Sequence, residues 1–133
     1  MQNQIPEPIS KGRLWGGWIV SVLPALFLLL DGAMKLFKPK FVVEATVQLG
    51  YPESTILPIG SVLVICTILY LLPKTSVLGA ILLTGYLGGA VATHVRTSAG
   101  AFPILFAVVF GVLLWGGLYL RDRRISSLIP LKN

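Results

Sequence analysis

Asp31, Lys35, His94 and Arg96 lie within or beside long apolar stretches of this sequence, and their types suit polar chemistry. Asp31 and Lys35 are four residues apart, so on a helix they share one face, with the acid N-terminal to the base. His94 ends another apolar run, and Arg96 lies just beyond it. Ionisable groups at membrane depth are costly and mark functional sites. Because a carboxylate beside an imidazole can relay protons or bind a polar headgroup, we predict a candidate polar site here.

A plainer interpretation of these residues stays open. Asp31 and Lys35 can form an ion pair at the membrane boundary, with Lys35 extending its charge to the headgroups. His94 can be a hydrogen-bonded structural residue. We expect no metal site, because Asp31 and Glu44 are the plausible partners of His94 and a firm site needs three or four ligands. Cys66 is the single cysteine, which excludes an internal disulfide and favours a packing role.

The elements that must position these side chains follow from the distribution of charge. The sequence is 55% hydrophobic but only 12% charged, against about a quarter charged in soluble domains. Its mean hydropathy is +0.84. A helix of about 20 apolar residues crosses the hydrocarbon core, whereas barrel strands are about 10 residues long and alternate in polarity. Four stretches contain no Asp, Glu, Lys or Arg: residues 14–30, 54–73, 75–95 and 97–120.

These runs predict an all-α integral membrane four-helix bundle. The predicted domain covers residues 14–120, with spans at about residues 14–37, 55–72, 77–95 and 102–120. Residues 1–13 are predicted as a cytosolic N-terminal tail, and residues 121–133 as a basic C-terminal tail. The first run is long for a secretory signal peptide and lacks a small-residue cleavage site, so we expect an uncleaved span.

The first loop carries a helical pattern of its own. Phe41, Ala45 and Leu49 share one helical face, while Glu44 lies on another. The pattern predicts a short interfacial helix that ends at Gly50.

The basic residues indicate the orientation of the bundle. Seven of the eleven fall on the side of both termini: Lys11, Arg13, Lys74, Arg121, Arg123, Arg124 and Lys132. The positive-inside rule then predicts a multi-pass protein of the bacterial inner membrane with both termini in the cytoplasm. Because the first and third spans run in the same direction, all four candidate site residues lie towards the opposite face. Membrane topology explains the net charge of +6, so we expect no nucleic-acid partner.

Small residues on the third span predict where helices approach closely. Gly85, Gly89 and Ala92 form one stripe, and Arg96 continues it. His94 points about 100° or more away from that stripe, given about 3.6 residues per turn. One face of the span is thus predicted to pack while another lines a site.

Two segments resemble the DoxX-like family of small four-span bacterial membrane proteins. They are Asp31-Gly32-Ala33-Met34-Lys35-Leu36 at the end of the first span, and the third-span segment from Gly85 to Arg96. The family takes its name from a subunit associated with a quinone-reducing sulfur oxidation enzyme. Other relatives are linked to oxidative-stress complexes, and distant animal members act as assembly factors for membrane receptors. Most members have no defined activity, so the resemblance implies the fold more than the chemistry.

Two functions are consistent with these features. The first is a non-enzymatic module that binds or assembles a membrane protein partner, or a second copy of itself, within the lipid bilayer. The alternative is a redox auxiliary, a membrane subunit of an oxidoreductase, that binds quinone or a related lipid at the polar site. No cofactor ligand set is evident in the sequence. A proton-coupled transporter is a weaker third hypothesis, since four short spans make a small bundle.

Overall fold

The computed structural model describes residues 10–98 and 100–126, which are almost wholly helical and contain no strand. Four long helices, each long and apolar enough to cross a membrane, carry this part of the chain. The elements are α1 Lys11–Phe37, α2 Lys40–Gln48, a 3-10 turn Glu53–Thr55, α3 Ile56–Leu71, α4 Ser76–Arg96, α5 Ala101–Arg121 and α6 Arg123–Ser126. The predicted all-α bundle and its short helix in the first loop are confirmed. Most of both predicted tails, residues 1–9 and 127–133, lies outside the described residues.

The long helices α1 and α5 extend slightly beyond the spans predicted for them. α1 begins at Lys11, three residues before the predicted span, and α5 ends at Arg121. Ser10 caps α1, where its Oγ accepts a hydrogen bond from the backbone N–H of Arg13 at 3.2 Å. Helical backbone continues through Lys and Arg because their long side chains reach polar partners while the backbone stays hydrogen-bonded.

The long helices form a ring in which each packs against two others. α1 and α4 each lie between α3 and α5. We call the end of the bundle where α1 and α4 begin the terminal end, and the opposite end, where α1 and α4 finish, the loop end. Large apolar side chains cover the outer surface, as expected for lipid-facing helices; examples are Ile19, Leu23, Ile65, Ile81 and Val112.

Glycines bring α1 close to both of its neighbours. A Cβ built on Gly117 of α5 would lie 2.8 Å from the backbone nitrogen of Ser21 and 3.0 Å from the carbonyl oxygen of Gly17. A Cβ on Gly60 of α3 would lie 2.7 Å from Cβ of Lys35. Side chains at these positions would force the helices apart, so close approach in this chain depends on glycines outside the predicted stripe.

Arg121 ties the four long helices together at the terminal end. Its guanidinium donates to Ser21 Oγ at 2.9 Å, to Ser76 Oγ at 3.2 Å and to the carbonyl oxygen of Tyr70 at 3.1 Å. It also lies over the rings of Trp18 and Tyr70, 4.2 and 4.9 Å from their centroids. The sequence indicated a basic residue at the membrane edge; in the structure this residue is also a partly buried cross-link between helices.

The short helix α2 buries one residue against the bundle and leaves most of its surface exposed. Thr46 is its buried residue, while Phe41 and Ala45 are exposed. Of the predicted apolar face, Phe41 and Ala45 are thus exposed and Leu49 is half-buried. Thr46 can face the bundle because its hydroxyl donates to the carbonyl oxygen of Val42 at 2.8 Å and so is satisfied within the helix.

Candidate functional site: a cavity at the loop end

A cavity of about 640 Å³ lies at the loop end of the bundle. Its walls come from α1, α4 and α5, with one contribution from α3. Thr46, Leu49 and Tyr51, in and after α2, also line it. Asp31, Lys35 and His94 all line this cavity. The structure thus brings three of the four predicted site residues together.

Asp31 and Lys35 form the ion pair that their spacing allows. Lys35 Nζ donates to Asp31 Oδ1 at 2.8 Å. The lysine side chain is 17% exposed and that of the aspartate 41%. Both residues line the cavity, so the pair supplies it with a positive and a negative group on one wall.

His94 is held in place by its own helix. Its Nδ1 lies 2.7 Å from the carbonyl oxygen of Ala90. Because a carbonyl oxygen only accepts hydrogen bonds, this contact requires a proton on Nδ1, which leaves Nε2 of the neutral ring as an acceptor. No described residue hydrogen-bonds to Nε2, so it is available to a molecule in the cavity.

Arg96, the fourth predicted site residue, does not line the cavity. Its guanidinium donates to the carbonyl oxygen of Leu49 at 2.8 Å and lies against Gly50. Gly50 has φ +92°, a conformation that glycine adopts without steric cost, and a Cβ there would come within 3.0 Å of the guanidinium. Arg96 therefore holds the end of α2 against the end of α4.

A second contact fastens the same segment. The hydroxyls of Tyr51 and Thr93 lie 2.7 Å apart, and Thr93 Oγ1 also donates to the carbonyl oxygen of Gly89 at 2.8 Å. Since Thr93 has one hydroxyl proton, Tyr51 is the donor to Thr93. Residues 49–51 are thus fixed to α4 at two points and close part of the loop end.

Phenylalanines make another part of the cavity lining aromatic. Phe27 of α1 meets Phe106 and Phe110 of α5 edge to face, at centroid separations of 5.4 and 5.1 Å. Phe106 and Phe110 stack on each other at 4.6 Å. Such a wall offers offset and edge-to-face contacts to a planar ring. The cavity therefore combines one polar wall with one aromatic wall.

The predicted small-residue stripe has a different place from the one expected. A Cβ on Gly85 or Gly89 would meet nothing within 4 Å, and both glycines line the cavity together with His94. Ala92 is exposed. Within the described residues, the stripe packs against no other helix. The absent side chains instead leave space in the cavity.

Several residues that line the cavity were not among the predicted site residues, although the sequence carried a signal for them. Phe102, Phe106 and Phe110 recur every four residues and so share one face of α5, and Phe27 lies one turn before Asp31 on α1. Tyr51 carried no signal, because its place depends on how the first loop folds back. Cys66 is buried in the core. Among the described residues, no three His, Cys, Asp or Glu side chains group as metal ligands would.

Fold and site together define a class: a small membrane protein whose four spanning helices enclose a cavity with one polar and one aromatic wall. The chain belongs to the DoxX-like family, whose model matches residues 19–117. The matched range includes both segments that carry the resemblance and every residue that lines the cavity. No curated protein and no solved structure matches the chain.

Proposed function

We propose that this DoxX-like membrane protein binds a lipid with a planar, oxygen-bearing ring, of the quinone class, in the cavity at its loop end. The observation that supports the proposal is the convergence of Asp31, Lys35 and His94 on a cavity that has a phenylalanine wall. Largely apolar pockets with a few convergent polar groups are the usual form of a small-molecule site.

The polar wall matches the hydrogen bonds that such a ring makes. Lys35 keeps N–H donors beyond the one given to Asp31, and the Tyr86 hydroxyl, also in the lining, has no hydrogen-bond partner among the described residues. These groups suit ring carbonyls. Asp31 and His94 Nε2 are acceptors that suit ring hydroxyls. A ring in either its carbonyl or its hydroxyl form would thus find partners.

The chain would act as an auxiliary, ligand-binding subunit of a redox complex of the membrane. The cavity supplies binding and orientation, whereas the oxidant or reductant would come from a partner protein. We assign no catalytic residue to this chain.

Equilibrium binding to purified protein tests the proposal. The hydroquinone form of a benzoquinone that carries no tail is titrated, in the absence of oxygen, into wild type, Asp31→Asn and His94→Ala, and ring binding is followed by isothermal calorimetry. We expect each variant to bind the hydroquinone about tenfold more weakly, since each loses an acceptor for a ring hydroxyl. A bond to a charged group such as the Asp31 carboxylate contributes about 1.5–3 kcal/mol, and a bond between neutral groups about 0.5–1.5 kcal/mol. Equal affinity in all three proteins would overturn the site.

A second candidate function is the partner-binding or assembly module. The observation that favours it is the surface of α4 around Gly88 and Ala92, which is exposed and which no other helix of the described chain covers. Recovery of one specific protein from mild detergent, and its loss in Ala92→Leu, would support this role. A clean monomer in native membranes would count against it.

We also propose that the protein lies in the bacterial inner membrane with both termini in the cytoplasm. The excess of Lys and Arg at the terminal side supports this orientation. In a Cys66→Ser background, a cysteine introduced at Lys132 should resist a membrane-impermeant thiol reagent in intact cells. A cysteine at Lys40 should react, and the reverse pattern would invert the orientation.

A further inference from the structure

A second apolar groove lies on the bundle between α4 and α5. It runs from Thr84, Leu87 and Val91 on one side to residues between Ala107 and Tyr119 on the other. Gly88, Gly111 and Gly116 form part of its floor, and a Cβ on Gly88 or Gly116 would meet nothing within 4 Å. Absent side chains at these glycines therefore leave space in the groove, and its two sides are joined where Trp115 Nε1 donates to Thr84 Oγ1 at 2.7 Å.

The groove shares two residues with the cavity at the loop end. Leu87 and Ala107 line both spaces, and each is nearly buried. Ala107 carries only a methyl group, so the Leu87 side chain forms most of the partition. Leucine in a helix has more than one accessible χ1 rotamer, so Leu87 is the shared residue whose side chain can change how the two spaces connect.

Depth in the membrane gives the two spaces different chemistry. The cavity lies at the loop end, where the ionisable groups are, whereas the groove extends along α5 towards the terminal end. From Ala107 to Tyr119 a helix rises about 18 Å, more than half of a hydrocarbon core of about 30 Å. The polar cavity and the long apolar groove together match the shape of one lipid, with a polar head and an apolar tail.

We propose that the groove between α4 and α5 binds the apolar tail of the same lipid whose ring occupies the cavity, with Leu87 as the gate between them. The inference rests on the proposed function and deepens it. The ligand is a ring-headed lipid with an isoprenoid or alkyl tail, which enters sideways from the bilayer.

A benzoquinone with a diazirine at the end of an alkyl tail tests this in nanodiscs. After irradiation, mass spectrometry should place the label on α4 or α5 residues of the groove, such as Val112 and Trp115. An excess of the benzoquinone without a tail should abolish that label by displacing the ring. Gly88→Leu, which fills the groove, should reduce groove labelling at least about fivefold but leave affinity for the tail-less ring unchanged.

The matched control is Gly16→Leu, at a glycine of α1 where a Cβ also meets nothing within 4 Å and which lines neither space. It should behave like wild type. Groove labelling that persists under excess tail-less ring would show an independent lipid groove and overturn the linkage. Tail-less binding without any groove label would overturn the tail site alone. Failure of the tail-less ring to bind wild type would overturn the proposed function itself.

Discussion

Lys35 donates to Asp31 at 2.8 Å, and the lysine is the more buried of the two side chains. A lysine that extended its charge to the headgroups would be the more exposed partner. The ammonium group instead stays at the cavity wall, beside the carboxylate. The pair therefore belongs to the site rather than to the membrane boundary alone.

This geometry predicts that two lysines, each four residues away from an acidic residue, contribute unequally to stability. Lys35→Met should destabilise the protein by about 1 kcal/mol, because it leaves the Asp31 carboxylate without its partner. Lys40→Met is the matched control: Lys40 and Glu44 are also four apart but lie 4.0 Å from each other and are well exposed. Thermal melting in detergent measures both. Equal melting temperatures for the two variants would contradict the structural role of the pair.

A glycine pair on α5 offers a test of the helix packing. Gly117→Ala should cost about 1–3 kcal/mol, because the new Cβ overlaps Ser21 and the carbonyl oxygen of Gly17. Gly116→Ala should be neutral or stabilising, since nothing lies within 4 Å and alanine favours helix. The melting temperatures of the two variants test this prediction. A Gly117→Ala variant as stable as wild type would show that α1 and α5 lie further apart.

Substitutions of Arg121 distinguish two roles for this residue, a charge at the membrane edge and a cross-link between helices. If charge alone mattered, Arg121→Lys would match wild type in folding. We expect instead a clear drop in melting temperature, because lysine lacks the planar fork that reaches Ser21, Ser76 and the Tyr70 carbonyl. Arg121→Ala should lose about 3 kcal/mol or more. Wild-type melting of Arg121→Lys would refute the cross-link.

The sequence predicted the bundle well because apolar length is a local property. Each span corresponds to an apolar run of the sequence. The acid and the base of α1 meet because four residues make about one helical turn. The convergence of Asp31, Lys35 and His94 needed one further fact, that α1 and α4 run in the same direction. That shared direction predicted that the three residues lie at one depth in the membrane, but not that they line one cavity.

What could not be predicted depends on contacts between distant segments. Gly85 and Gly89 match a helix-packing pattern, yet the long helices approach each other closely at other glycines. Which glycines these are depends on which helix faces meet in the bundle. Arg96 followed the site residues in sequence but turns to the carbonyl oxygen of Leu49. The sequence indicated Arg121 only as a charge that flanks the fourth span, because its hydrogen-bond partners come from three other helices. Periodicity within one helix does not encode such choices.

The segment at residues 49–51 should loosen when its two contacts are removed. Tyr51→Phe combined with Arg96→Gln deletes the hydrogen bonds to Thr93 and to the Leu49 carbonyl. Hydrogen exchange of residues 46–51 should rise about tenfold, while that of α3 stays unchanged. Thr55→Val is the control, since it removes only a local bond to Pro52. Unchanged exchange in the double variant would show that these contacts do not hold the loop.

The most direct test of the ligand cavity changes its volume and leaves every charge in place. Gly89→Leu inserts a side chain into the cavity, whereas Ala92→Leu adds to the exposed surface of the same helix. The dissociation constant of the tail-less benzoquinone is measured for both against wild type. We expect about tenfold weaker binding or more for Gly89→Leu and wild-type binding for Ala92→Leu. Wild-type affinity in Gly89→Leu would contradict the claim that the cavity is the binding site.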